Sequence, residues 1–222
     1  MTVHDVARRL PSLSVLRDRC RALAMLDAVL SPSPEDRRHF FGSSGTPGQE
    51  RASMANGSGD EFAVVFSTDG AVLIGFDHES PMSPYANDGE PWPGVVEHVP
   101  EPFAAVVADP AFADEEGVPN VTVCLWRGIG DKRWHHGEIA FPTERTDADG
   151  ADALFHLLLA DCSDAWRREA EDYYEVPVDS DAVAALFALR PLDQGLVAAL
   201  RPGSSPADFA PHASTIGYPR RR

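Results

Sequence analysis

The sequence predicts an α+β protein: a central antiparallel sheet with an N-terminal helix before it and a C-terminal group of helices after it. Three observations carry this. Residues 16–30 repeat apolar side chains at helical spacing, residues 62–76 hold two apolar runs joined by an Asp-Gly turn, and the last third carries capping residues ahead of helical patterns. Strands in the middle with helices segregated to the ends give α+β layers. A chain of 222 residues suits one domain, 1–222, with enough apolar side chains for a substantial core.

In chain order, Ser14 is the expected helix cap, and Leu16, Cys20, Leu23, Leu26 and Leu30 form one stripe below it. Ser31-Pro32-Ser33-Pro34 ends the helix, because proline lacks the amide donor and pushes its predecessor out of the helical region. Residues 31–59 are rich in Gly, Ser and Pro and read as a loop-rich connection with one short strand at 38–41. The runs at 62–66 and 71–76 flank Ser67-Thr68-Asp69-Gly70, a strong hairpin signal. Phe62, Val64 and Phe66 share one face and Ala63 and Val65 the other; both are apolar, which predicts a central strand covered by helices on at least one side.

Residues 121–126 form the next strand, with 133–139 as its expected hairpin partner, and a short helix is predicted at 102–108. Asp149, Ser163 and Ser180 precede three helices carrying Leu154 and Leu157, Trp166 and Ala170, and Val183 and Leu186 respectively. Pro191 and Pro202 punctuate two further helical pieces, and 219–222 reads as a basic, solvated tail.

The 35 acidic side chains outnumber the 19 basic ones, for a formal charge of −16. Such a surface repels phosphate backbones and anionic lipid, so neither nucleic acid nor membrane is an expected partner. Residues 1–10 lack the apolar run of a leader, and no stretch reaches the roughly 18 apolar residues of a spanning helix, which predicts a cytoplasmic protein. Cys20, Cys124 and Cys162 are odd in number and widely spaced, and read as buried thiols rather than a disulfide framework or zinc site.

Residues 52–126 contain no Lys or Arg but thirteen carboxylates. The plain reading is a solvated face balanced by arginines from elsewhere in the fold. The functional reading is a negative field that recruits a basic protein, with Asp77, Glu79, Asp88 and Glu90 as charged contacts and Tyr85 and Trp92 as anchors from the proline-aromatic loop 80–94. Trp126 and Trp134 read as core packing. An alternative is a metal-dependent hydrolase in which Asp77, His78, His135 and Glu138 hold a divalent metal. If the strand ran on past Phe76, Asp77 and His78 would face opposite ways, so only one could join such a site from that strand. The glycines near Asn56 enter a strand instead of leaving one, and the run at 146–150 lacks calcium-loop spacing, so neither a phosphate cradle nor a calcium site is expected.

The N-terminal helix, the hairpin FSTDGAVLIGFDHES and the acidic middle together resemble the bacterial SMI1/KNR4-like (SUKH) immunity proteins of toxin systems, over about residues 60–126. The resemblance implies an α+β protein that binds and neutralises a toxin, often a nuclease, without catalysis. The expectation is therefore a non-catalytic, acidic, immunity-like module that needs no cofactor and neutralises a basic effector. No oligomeric state follows from the sequence.

Overall fold

The computed structural model describes residues 1–142 and 146–220. Five strands form one antiparallel meander in the order β1-β2-β3-β4-β5: β1 His39–Ser43, β2 Glu50–Ala55, β3 Glu61–Phe66, β4 Gly70–Phe76 and β5 Val123–Gly128. Helices α1 (Val3–Arg9) and α2 (Leu13–Leu30) precede the sheet, and α3 (Glu101–Val107) lies between β4 and β5. The helices α4 (Ala151–Leu159), α5 (Asp164–Tyr174), α6 (Ser180–Phe187), α7 (Gln194–Leu200) and α8 (Ala210–Ile216) follow it. The α+β architecture predicted from the sequence is the one observed. Among the described residues, no helix is long and apolar enough to cross a membrane.

The hairpin register sets Glu61 against Phe76 and Phe66 against Ala71, so Phe62, Val64, Leu73 and Leu125 share one face. That face packs on helices: Phe62 meets Phe155 of α4 edge-on at 5.6 Å, and the Arg17 guanidinium of α2 lies 4.9 Å from the Phe66 ring. The opposite face carries Ala63, Val65, Val72, Ile74 and Cys124, which are also buried. Its cover comes from residues 80–120, which bury Met82, Val95, Phe103 and Phe112. Phe112 lies under Arg51 of β2 at 4.5 Å, and α3 packs on β4. Each large apolar side chain so buried contributes roughly 1.5–3 kcal/mol. Trp126 and Trp134 are buried, as expected.

Five expectations need correction. Residues 31–59 hold, besides the expected short strand, which is β1, a second strand, β2, that extends the sheet further. Residues 133–139 form no strand. One bridge, in which Trp126 and His135 exchange backbone hydrogen bonds of 3.0 and 2.8 Å, is followed by a segment whose Gly137 and Glu138 backbone packs directly on Gly94. Ser12, not Ser14, caps α2, and Asp179, not Ser180, caps α6. Cys20 and Cys124 are buried thiols, whereas Cys162 is exposed.

Two buried carboxylates dock helices to the sheet. Asp27 of α2 accepts from the Arg38 amide at 3.1 Å and the His39 amide at 2.7 Å, and its Oδ2 lies 3.0 Å from His39 Nδ1. The first residue of β1 and the one before it are thereby tied to the long helix, and Arg38 is held to α5 by an ion pair with Glu169. Asp149, fully buried, accepts from Val3 N at 2.7 Å and Ala151 N at 3.2 Å, which fixes the start of α1 against the start of α4. Burial pushes this carboxyl up to about 6, against the pull of those hydrogen bonds.

Replacing Asp27 with alanine leaves the buried His39 amide and the part-buried Arg38 amide without an acceptor, and is expected to cost about 2–4 kcal/mol as a lower urea midpoint at constant slope; an unchanged midpoint contradicts the docking role. Asp149 binds its proton more tightly folded than unfolded, so wild-type stability relative to Asp149→Asn should rise by about 2 kcal/mol as pH falls from about 7 to about 4. Parallel pH profiles for the two proteins contradict that assignment.

Candidate functional site

The hairpin register decides what meets what at the far end of β4. Because Glu61 opposes Phe76, the residues just outside the pairing, Asp60 and Asp77, become neighbours. Strand β4 ends at Phe76, and a turn follows in which Ser80 N donates to Asp77 O at 3.1 Å and Glu79 N to Asp77 Oδ1 at 2.9 Å. This turn overrides the alternation of an extended chain and swings His78 onto Asp60, whose Oδ1 lies 2.7 Å from Nδ1 and accepts from the His78 amide at 3.1 Å. The other Asp60 oxygen accepts from Asn56 Nδ2 at 2.7 Å.

Two glycines make room. A Cβ on Gly59 would stand 3.1 Å from the His78 ring, and one on Gly150 would stand 2.3 Å from Asp77 Cβ; both have positive φ. The hydrogen bond to Asp60 lifts His78 above the ordinary histidine range, and the carboxylates of Glu79 and Asp77 add to it. Burial pushes Asp60 up, but the bonds from His78 and Asn56 prevail and hold it below the usual carboxylate range.

Asp60, Asp77 and His78 can each offer a ligand atom within 4.8 Å of the others, and among the described residues this is the single group of that kind. The four-residue set Asp77, His78, His135 and Glu138 is therefore not assembled. His135 pairs with Trp126, which opposes Val72, about 13 Å along β4 from Phe76 at 3.3 Å per residue. Its Nε2 faces Asp131 at 3.3 Å. Glu138 is exposed, on the segment packed against Gly94. Both Asp60 oxygens already accept protein donors, which is the chemistry of a structural corner. An imidazole oriented by a carboxylate is half of a general-base unit, but among the described residues no hydroxyl or thiol hydrogen-bonds to His78 Nε2.

The predicted contact residues divide. Asp88 and Glu90 are exposed on a turn in which Gly89 N donates to Pro84 O at 3.0 Å and Asn87 Nδ2 to Glu90 O at 2.9 Å, and Asp88 adopts a φ of 53°. Tyr85 is 68% exposed and leans edge-on against Phe76 at 5.7 Å. Trp92 is half-buried and donates from Nε1 to Ala140 O at 2.9 Å, so it braces the loop. Glu79 is exposed beside the Asp60 corner.

Beyond the loop, Glu97, Glu101, Glu115 and Glu116 are also exposed on the layer that covers the second face of the sheet. Among the described residues, the ion pair between Arg51 and Asp109, at 3.9 Å, is the one arginine bridge to that layer. The other arginine bridges join α2 and β2, α5 and the residue before β1, or residues within a helix: Arg17 and Arg21 with Glu50, Arg38 with Glu169, Arg167 and Arg168 with Asp164. Asp60 is the residue of the corner that sequence reasoning omitted. Counting back from the Asp-Gly turn in antiparallel register was the signal that reaches it. No protein-family model matches the chain, and no curated protein or solved structure does either.

In Asp60→Asn the His78 ring loses its carboxylate partner. Proton NMR should show His78 titrating above ordinary histidine in the wild type and shifting down in the variant; the same midpoint in both contradicts the pairing.

Proposed function

We propose that the protein is a non-catalytic binding module whose acidic cover layer receives a basic protein. The observation that supports this best is the separation of charge: residues 80–120 coat one face of the sheet and contain no Lys or Arg, while most arginine ion pairs lie on the helical side. Asp88, Glu90 and Glu101 carry no ion pair among the described residues, so their charge is available to an incoming cation. The hydrogen-bonded turn around Asp88 presents Asp88 and Glu90 at little entropic cost, with Tyr85 nearby as an aromatic contact.

A field of this kind raises the association rate of a basic partner and disfavours acidic competitors. Neutralisation of a basic effector, as the immunity-protein resemblance implies, is the form of function this reading favours. Cytoplasmic residence belongs to the same proposal. The hydrolase reading is left with Asp60, Asp77 and His78, of which both Asp60 oxygens, Asp77 Oδ1 and His78 Nδ1 are engaged with protein partners, and it receives no comparable support.

Wild type and the triple variant Asp88→Lys, Glu90→Lys, Glu101→Lys, immobilised in parallel, should capture different proteins from a lysate of the native host at low salt. The wild type is expected to retain a protein of high isoelectric point that elutes with salt and is lost from the variant. Identical captured sets for the two proteins would overturn the proposal.

A further inference from the structure

Cations are scarce in this chain, yet several converge at one place. Along the outer edge of β5, helix α1 and residues 127–136 enclose an open cleft of about 590 Å³. Its walls carry Arg8 of α1, Arg127 of β5, and Lys132 and Arg133 of the turn beyond it, Lys132 being the single lysine of the sequence. The frame is fixed by Pro11, whose carbonyl accepts from Trp134 Nε1 at 2.9 Å and from Arg127 Nη1 at 3.3 Å. Arg127 Nε donates to Asp131 O at 3.1 Å.

The remaining guanidinium nitrogen of Arg127, the Lys132 ammonium and the Arg133 guanidinium have no protein acceptor among the described residues. Two carboxylates offset part of the charge. Asp5 pairs with Arg8, and Asp131 accepts from Gly128 N at 2.9 Å while facing His135. Two further imidazoles line the space. His4 and His136 stand ring to ring at 4.4 Å, and His136 donates from Nδ1 to Gly137 O at 2.8 Å, which leaves its Nε2 uncommitted to that bond. Burial first, then the neighbouring His136 and Arg8, holds His4 below the ordinary histidine range, as expected where the local field is already positive.

We propose that this cleft is an anion site for a small, multiply charged phosphate compound, with Arg127, Lys132 and Arg133 as its principal ligands and His4 and His136 as hydrogen-bonding partners. Guanidinium forks match phosphate oxygens bidentately, and a lysine adds a point charge. The volume lies within the range of about 300–1,000 Å³ typical of small-molecule sites. Size and charge together favour a small ligand over nucleic acid. Screening confines the attraction to roughly 8 Å at physiological salt, while a long polyanion leaving the cleft would meet a molecule of net charge −16. The residues lie outside the acidic cover layer, so this site stands or falls independently of the proposed protein-binding face.

The test is isothermal titration at low ionic strength with inorganic pyrophosphate and with ATP, and a parallel fluorescence titration with a single-stranded oligonucleotide. The expected result is saturable one-to-one binding of at least one of the two phosphate compounds, weakened at least about tenfold in Lys132→Ala, Arg133→Ala. Both side chains are exposed, and an unchanged melting temperature confirms that the variant is folded. Absence of saturable binding of both compounds at low-millimolar concentration, or equal affinity in wild type and variant, overturns the site. Tighter binding of the oligonucleotide than of either small phosphate overturns the assignment of ligand class.

Discussion

The structure depends on a sheet that is apolar on both faces. Strands β3, β4 and β5 bury Phe62, Val64 and Leu73 on one side and Val65, Ile74 and Cys124 on the other, so neither face can be left to water. Helices α2 and α4 cover the first. The second is covered by one continuous stretch between β4 and β5, too short in regular structure to be a helical layer, which relies on Met82, Val95, Phe103 and Phe112 as apolar pegs. Because that stretch contains no Lys or Arg, the charges it exposes are anionic apart from its two histidines, His78 and His98. Charge separation across the molecule follows from how the chain solves its packing problem.

The helical side shows the opposite habit. Glu50 of β2 takes both Arg17 and Arg21 of α2, and Glu169 of α5 takes Arg38. Burial alone would raise the Glu169 carboxyl, but its bonds to His156 and Arg38 dominate and bring it down to about 2. Carboxylates there work as internal fasteners, and Asp27 and Asp149 fasten backbone amides in the same way. Acidic side chains therefore have two uses in this protein: on the helical side several are joinery, although Asp172, Glu175 and Asp181 are exposed there, and on the cover layer they are displayed.

Much of the fold was legible from residue patterns. The Asp-Gly hairpin, the long helix α2 and the C-terminal helices each announce themselves through periodicity and turn chemistry that agree with tertiary burial. Strand β2 did not. Its sequence, Glu50 to Ala55, has no β-branched or aromatic residue, and it is a strand because β1 and β3 hydrogen-bond to it from both sides. Residues 133–139 erred the other way: their alternating pattern reflects burial of Trp134, Gly137 and Ile139 in an irregular segment. The corner at Asp60 needed only register, and was reachable. The cationic cleft was not, because Arg8 lies more than a hundred positions before Arg127 and no local pattern joins them.

The central claim is that this strongly acidic molecule is electrically polarised, anionic over the sheet's second face and cationic in a cleft beside β5. Amide-resolved NMR with a cationic and an anionic paramagnetic cosolute reads that distribution directly. The account predicts that the cationic probe enhances relaxation preferentially at residues 85–117 and the anionic probe at residues 8 and 127–136. Equal enhancement by the two probes across both regions, or a preference for the cationic probe everywhere, contradicts it.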